Sequence, residues 1–188
     1  MTIPREPSPA KLVTSLFMRE KAVFQDTVER LTESFGSVDV VGPWLPFDET
    51  NYYHAEMGCP LFRRLIAFSE LIPQEALPKI KVFTNEVEKQ FAENGKRGVN
   101  IDPGYLLAER FVLATGKNFT HRIYLQGGIY ADLTLIFKKG RFRSLEWTYP
   151  DYAGNAIIGF LQIVRHRYLY QLKGSQNWTS WNTKSKKK

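Results

Sequence analysis

The sequence predicts an α+β fold: a ferredoxin-like split βαβ core (βαββαβ), continued by a C-terminal antiparallel β-meander and closed by a final helix. Three observations carry this expectation. Two stretches with apolar residues at helical spacing are each bracketed by strand-like runs and short connections, giving β-α-β twice. Residues 110–147 form a series of strand-like runs, with glycine-ended turns between the later ones. The composition, 43% apolar, 24% charged and 14% aromatic over 188 residues, suits a globular domain with a core of ordinary size.

In chain order, residues 1–10 read as a disordered, proline-spaced leader and 11–170 as one domain. "KLVTSLF" (11–17) has β-character. From Glu20 to Phe35 the residues Phe24, Val28, Leu31 and Phe35 recur on one helical face, and Gly36 stops the helix. "SVDVVG" (37–42) is a short strand, followed by a loop rich in aromatics and acids to residue 60, and "LFRRLIAFSE" (61–70) is the next strand. Pro73 suits the first turn of a second helix with Ile80, Phe83, Val87 and Phe91 on one face and a stop at Asn94-Gly95. "GVNIDPGYL" (98–106) reads as a strand running into a turn, because Asp102-Pro103-Gly104-Tyr105 has proline and glycine where a type II turn puts them. "RFVLATG", "HRIYL", "IYADLTLIF" and "RFRSLEW" are the meander. The last helix, about Asn155 to Leu169, carries Ile157, Phe160, Leu161, Val164 and Tyr168 at helical spacing, with Asp151 or Asn155 as its cap. Residues 171–188 read as a basic, disordered tail.

The formal charge of +7 is local. Seven of the 26 Lys and Arg residues, and no acid, lie between Gly159 and Lys188; the 19 that remain match the 19 Asp and Glu. The basicity therefore belongs to the last helix and the tail, a weak sign of a polyanionic partner. No run of about 18 apolar residues predicts a membrane span. The N-terminal stretch lacks the apolar core of a secretory signal, and the one cysteine, Cys59, cannot close an internal disulfide; both fit a cytoplasmic setting.

The hairpins decide where polar groups fall. "QGG" (126–128) and "KKG" (138–140) each end in glycine, which suits three-residue loops. Under that register Leu125 faces Ile129, Tyr124 faces Tyr130 and Arg122 faces Asp132, while Phe137 faces Arg141, Asp132 faces Glu146 and Ala131 faces Trp147. Arg122, Tyr124, Tyr130, Asp132 and Glu146 would then share a polar face, with Trp147 plugging the core. A one-residue slip would mix the two faces. Two opposed carboxylates about 5 Å apart repel by roughly 3 kcal/mol at an effective dielectric near 20, so Asp132 and Glu146 want a cation between them. Arg122, a divalent metal or a cationic ligand could supply it. An exposed charge ladder and a catalytic acid–base pair are the alternative readings. In "EWTYPDY" (146–152) proline ends the strand and Asp151 stands at the mouth of the last helix, so the stretch reads as a junction.

Other polar candidates are Asn100 and Asp102, which point the same way from their strand, and Asp48 and Glu56 in the acidic aromatic loop. His121, by the register above, lies on the side of Leu133 and reads as satisfied locally. No HxxxH, CxxC, HExxH or GxxxxGK[ST] occurs.

"PFDETNYYHAEMG", "VNIDPGYL", "HRIYLQGGIYADLTLIF" and "EWTYPDY", in this order and spacing, resemble the bacterial domain-of-unknown-function 4416 family from about Lys11 to Arg167. The resemblance implies a single cytoplasmic bacterial domain and carries no activity, cofactor or catalytic residue with it. Two function classes follow from the residues. One is a small-molecule or metal-binding domain with its site on the polar sheet face. The other is a binder of single-stranded nucleic acid, stacking bases on Tyr124 and Tyr130 with help from the basic tail. A protein-interaction module stands as a third.

Overall fold

A computed structural model describes residues 1–48 and 52–185, with side chains described up to Gly174. In chain order the elements are β1 (Ala10–Met18), α1 (Val23–Phe35), β2 (Val38–Val41), β3 (Leu45–Pro46), α2 (His54–Met57), β4 (Phe62–Ile72), a 3-10 turn (Gln74–Ala76), α3 (Leu77–Gln90), β5 (Ala92–Glu93), β6 (Lys96–Arg97), β7 (Val99–Leu106), β8 (Arg110–Thr115), β9 (Arg122–Gln126), β10 (Ile129–Lys138), β11 (Arg141–Ser144), α4 (Pro150–Ala153) and α5 (Asn155–Ser185). The protein is α+β, with every strand pairing antiparallel. The main sheet runs β11-β10-β8-β7-β1-β4-β2; β3 joins β4, and β9 joins β10.

Strand alternation gives this sheet two buried faces. On one, Leu12, Leu16, Met18, Ile66, Phe68, Val99 and Ile101 pack with Leu31 of α1 and Ile80 and Val87 of α3. On the other, Val13, Leu65, Ala67, Phe111 and Leu113 pack with Ile157, Phe160, Leu161 and Val164 of α5. The stripes expected for α1 and α3 face this core, with Leu31, Ile80 and Val87 buried and Phe24, Val28, Phe35, Phe83 and Phe91 partly buried against it. Among the described residues no helix is long and apolar enough to cross a membrane.

The sheet forks between β7 and β8. β7 pairs with β1 along its whole length, Val99 to Leu106. It pairs with β8 only over Gly104–Leu106 against Phe111–Leu113, while β8 continues beside β10 to Thr115. At the crotch, a Cβ on Gly104 would lie 2.4 Å from the Val112 carbonyl oxygen, so glycine is what lets the strands meet there. The type II turn expected at residues 102–105 is therefore absent. Pro103 is inside β7, opposite Thr14, at the first position where β8 has left. That is the edge-like setting a proline tolerates.

Further expectations are corrected. Asn94-Gly95 does not end the helix. α3 stops at Gln90, and Asn94 (φ 52°) and Gly95 (φ 75°) turn the β5–β6 hairpin, the pair of positive φ values that favours Asn-Gly. The 138–140 loop is a two-residue turn, with Lys139 (φ 51°) and Gly140 (φ 80°) both left-handed, so Phe137 faces Phe142 and Leu135 faces Ser144. β11 ends at Ser144, which removes the expected pairing of Asp132 with Glu146. Trp147 is 39% exposed rather than a core plug, and its indole donates to the Leu133 carbonyl (2.8 Å). The 126–128 loop is also two residues long, Gly127-Gly128, closed by Gln126 and Ile129 instead of Leu125 and Ile129. A register shift beside Ile129 then restores the expected Tyr124–Tyr130, Ile123–Ala131 and Arg122–Asp132 pairs. The last helix extends beyond the expected Leu169 as α5.

Candidate functional site

The fork leaves one edge of β7 without a strand, and α3 fills in. The Ile101 amide donates to Glu88 Oε1 (2.7 Å), and Lys81 Nζ donates to the Ile101 carbonyl (2.8 Å). Side chains thus make the hydrogen bonds a neighbouring strand would have made. Lys81, Thr84 and Glu88 are all buried, on a polar stripe beside the apolar stripe of α3. Lys81 Nζ also lies 3.5 Å from Asp102 and 3.8 Å from Glu88.

Above this floor the opening between β7 and β8 is a cavity of about 780 Å3. On one wall Arg97, delivered by the β5–β6 turn, makes a two-pronged pair with Glu56 of α2 (2.6 and 2.7 Å). Its Nη1 donates to Asn100 (2.6 Å) and Glu88 (3.3 Å), and Asn100 in turn donates to Asp102 (2.9 Å). On the far wall Arg122 donates from Nε to Asp132 (2.9 Å), from Nη1 to the Lys117 carbonyl (2.9 Å) and from Nη2 to Tyr149 (3.2 Å). At a third side Arg63 of β4 donates to Asp151 of α4 and lies under the rings of Phe47 (4.2 Å) and Tyr152 (5.1 Å). Lys117 reaches across the mouth to the Tyr52 hydroxyl (3.0 Å).

Burial sets the proton affinities. It pushes the Glu88 carboxyl above its ordinary value against the pull of Lys81 and the Ile101 amide. It raises the phenols of Tyr53 and Tyr152 well above theirs, so both are neutral at physiological pH. Around Arg97, the Glu56 hydrogen bonds outweigh burial and hold the guanidinium firmly charged. Burial opposes the charge on Arg122 too, but the bonds to Asp132 and Tyr149 prevail.

Of the residues expected from the sequence, Arg122, Asp132, Asn100 and Asp102 line this one cavity, and Glu56 supports it through Arg97. Four do not. Tyr124 and Tyr130 form an edge-to-face pair (5.4 Å) outside the lining, with Tyr124 58% exposed. Asp48 is exposed on its loop. Glu146 is exposed in a separate shallow groove with Phe119, His121 and Trp147. The carboxylate pair proposed for a metal is thereby parted. Among the described residues no group of three or more His, Cys, Asp and Glu side chains could hold a metal ion. His121, expected to be satisfied locally, instead meets Asp132 (3.2 Å) from β10 and stacks on Trp147 (5.0 Å between centroids).

Sequence reasoning missed Arg63, Lys81, Glu88, Arg97 and Tyr152. The i, i+4, i+7 spacing of Lys81, Asn85 and Glu88 was the available signal, one polar stripe at helical period. "EWTYPDY" also proves more than a junction. Thr148 donates to the Thr134 carbonyl (2.6 Å), Tyr149 meets Arg122, Asp151 meets Arg63, and Tyr152 lines the cavity.

These features define an α+β protein with a mostly antiparallel sheet, forked around a polar cavity. It belongs to the family of the domain of unknown function DUF4416, whose model matches residues 8–168, most of the chain. The molecular function of that family is unknown. No curated protein and no solved structure matches the chain.

Proposed function

We propose that the protein binds a small polar organic molecule in the cavity between β7 and β8. One observation carries this reading. The cavity is walled by charged side chains, each fixed by a second residue: Arg97 by Glu56, Arg122 by Asp132, Arg63 by Asp151, and Lys81 by the Ile101 carbonyl. Ordering these groups in advance removes a cost that a ligand would otherwise meet on binding. The volume is in the range of small-molecule sites, and the rings of Phe47, Tyr53 and Tyr149 give it apolar surface beside the charges. The same reading takes the first half of the chain as a ferredoxin-like split βαβ unit. The order β7-β1-β4-β2 supports it, each helical crossover skipping one strand. The single cysteine supports a cytoplasmic setting.

Gly116 provides the test. It lines the cavity, and nothing lies within 4 Å of a Cβ placed on it, so Gly116→Trp adds a ring without a clash at its base. In a fragment screen followed by thermal shift, ligands of the wild type should lose binding to Gly116→Trp while its melting temperature stays within a few degrees. Hits that bind the variant equally well would place the site elsewhere.

A further inference from the structure

At the outer end of the sheet, the face that turns away from α5 carries cations. Arg110, Ile136 and Arg143 form one row across β8, β10 and β11, and Lys138 and Arg141 form the next. Residues opposed in this way share a face. Lys139 adds a further positive charge at the turn, and no acid lies between Asp132 and Glu146. Arg110 has Glu109 at 3.4 Å. Lys138, Lys139, Arg141 and Arg143 are exposed, and among the described residues they make no ion pair or side-chain hydrogen bond. Guarding the sheet edge would explain cations on β11, an outer strand. It does not explain Lys138 opposite Arg141, because like charges directly opposed destabilise a strand pair. The same face continues inward as aromatic and apolar surface. Val112, two positions from Arg110 on β8, faces Leu133, and Ala131 faces both Ala114 and Ile123. Ile123 and Leu133 line the shallow groove that holds Phe119, His121, Trp147 and Glu146. Phe119 is 63% exposed, and Trp147 is held by the Leu133 carbonyl and by its stack on His121. Leu133 and Ile136 are three positions apart on β10, so the groove and the cation rows begin within roughly 10 Å of each other.

We propose that this face, separate from the cavity and independent of its ligand, binds a single strand of RNA. Unpaired bases lie on the Phe119–Trp147 groove, and the phosphates that follow lie on Arg143, Lys138 and Arg141. Exposed rings beside rows of cations are the two components of single-strand recognition, since base faces stack while the backbone tracks the charge. A duplex hides its base faces. An anionic membrane would meet the cations, but insertion needs an apolar face that projects outward, and here the rings line a groove. Glu146 repels phosphate and so sets the orientation, with bases and ribose at its end and phosphates at the other. Its carboxylate can accept from a ribose 2′-hydroxyl, which selects RNA over DNA. Tyr124 and Tyr130, the stacking pair expected from the sequence, occupy the opposite face of β9 and β10.

Fluorescence anisotropy of the full chain with labelled oligo(A) of about twelve nucleotides supplies the test, read from about 50 to about 200 mM salt. The wild type should bind the RNA about fivefold tighter than oligo(dA) and about tenfold tighter than an RNA duplex of the same length. The triple variant Lys138→Gln, Arg141→Gln, Arg143→Gln should lose about tenfold at the lower salt, with the slope of log Kd against log salt shallower by about two. Its melting temperature should equal or exceed that of the wild type, since opposed like charges are gone. Phe119→Ala should lose about fivefold with the slope unchanged. Neutralising Lys184, Lys186, Lys187 and Lys188 to glutamine should leave the preference for RNA and the effect of Phe119→Ala in place. Equal or tighter binding of the DNA or the duplex, an unchanged slope in the triple variant, or no effect of Phe119→Ala overturns the assignment. So does loss of RNA binding on neutralising the tail alone, competition by phosphatidylserine vesicles as strong as by the RNA, or no RNA binding at the lower salt.

Discussion

At Ile101 the β7 backbone is completed by two side chains, and the carboxyl that accepts its amide is the buried Glu88. Burial sets the folded-state pKa of Glu88 above its ordinary 4.5, so the folded chain holds this proton more tightly than the unfolded chain does. The resulting stabilisation is complete below pH 4.5 and is lost as pH rises through the raised value. Above it, an ionised carboxylate must be kept in a buried site. Glu88→Gln keeps an acceptor for the Ile101 amide and cannot ionise. The difference in melting temperature, wild type minus variant, should therefore fall as pH rises from 4.5 toward neutrality. A difference that rises instead would mean that Lys81 and Arg97 favour the anion more than burial penalises it. This residue was hard to recognise in advance. Glu on a helix, seven positions after Lys81, has the look of a solvated face until a strand edge is known to lie beneath it.

Among the elements, the fork in the sheet is made by one small residue. Gly104 brings β7 and β8 together, and beyond it the strands part. Gly104→Ala would press a methyl into the Val112 carbonyl and force the strands apart, costing about 1–3 kcal/mol and widening the cavity. Chemical denaturation should show that loss. An alanine variant as stable as the wild type would show that the crotch is not tight. The strands and helices around this point were legible, because their apolar periods of two and 3.6 are local properties. So was the Arg122–Asp132 pair, since Gly127-Gly128 and the register shift beside Ile129 together preserve the count the sequence suggests. The β10–β11 register was not. It depends on Lys139 adopting a left-handed φ, which a lysine rarely does. The fork was hidden for a different reason: Pro103-Gly104 resembles a turn, and only the pairing with β1 on one side and β8 on the other shows a strand held between two neighbours.

For the molecule as a whole, the Arg63–Asp151 pair adds a polar tie between the two halves, beside the shared sheet and α5. It joins β4 to α4 across 88 positions of sequence, a contact no local pattern announces. Around it Phe17 and Phe47, from the first part of the chain, and Tyr152, from the last, close on the guanidinium. The side chains of Arg63 and Asp151 are 4% and 13% exposed, so the charge left behind by Asp151→Ala would be buried without its carboxylate. Loss of one member of such a pair costs about 3–5 kcal/mol. Because α5 packs on strands from both halves, that cost should lower the stability of both together. In scanning calorimetry the Asp151→Ala protein should melt as one transition at a lower temperature, with far- and near-ultraviolet circular dichroism falling in step. Replacing Arg63 with Met as well, which removes the stranded charge while keeping much of the volume, should recover part of the loss. Two separated transitions in the single variant would mean that the strands before Leu106 and the meander after it hold together by other contacts, and that the pair serves the cavity alone.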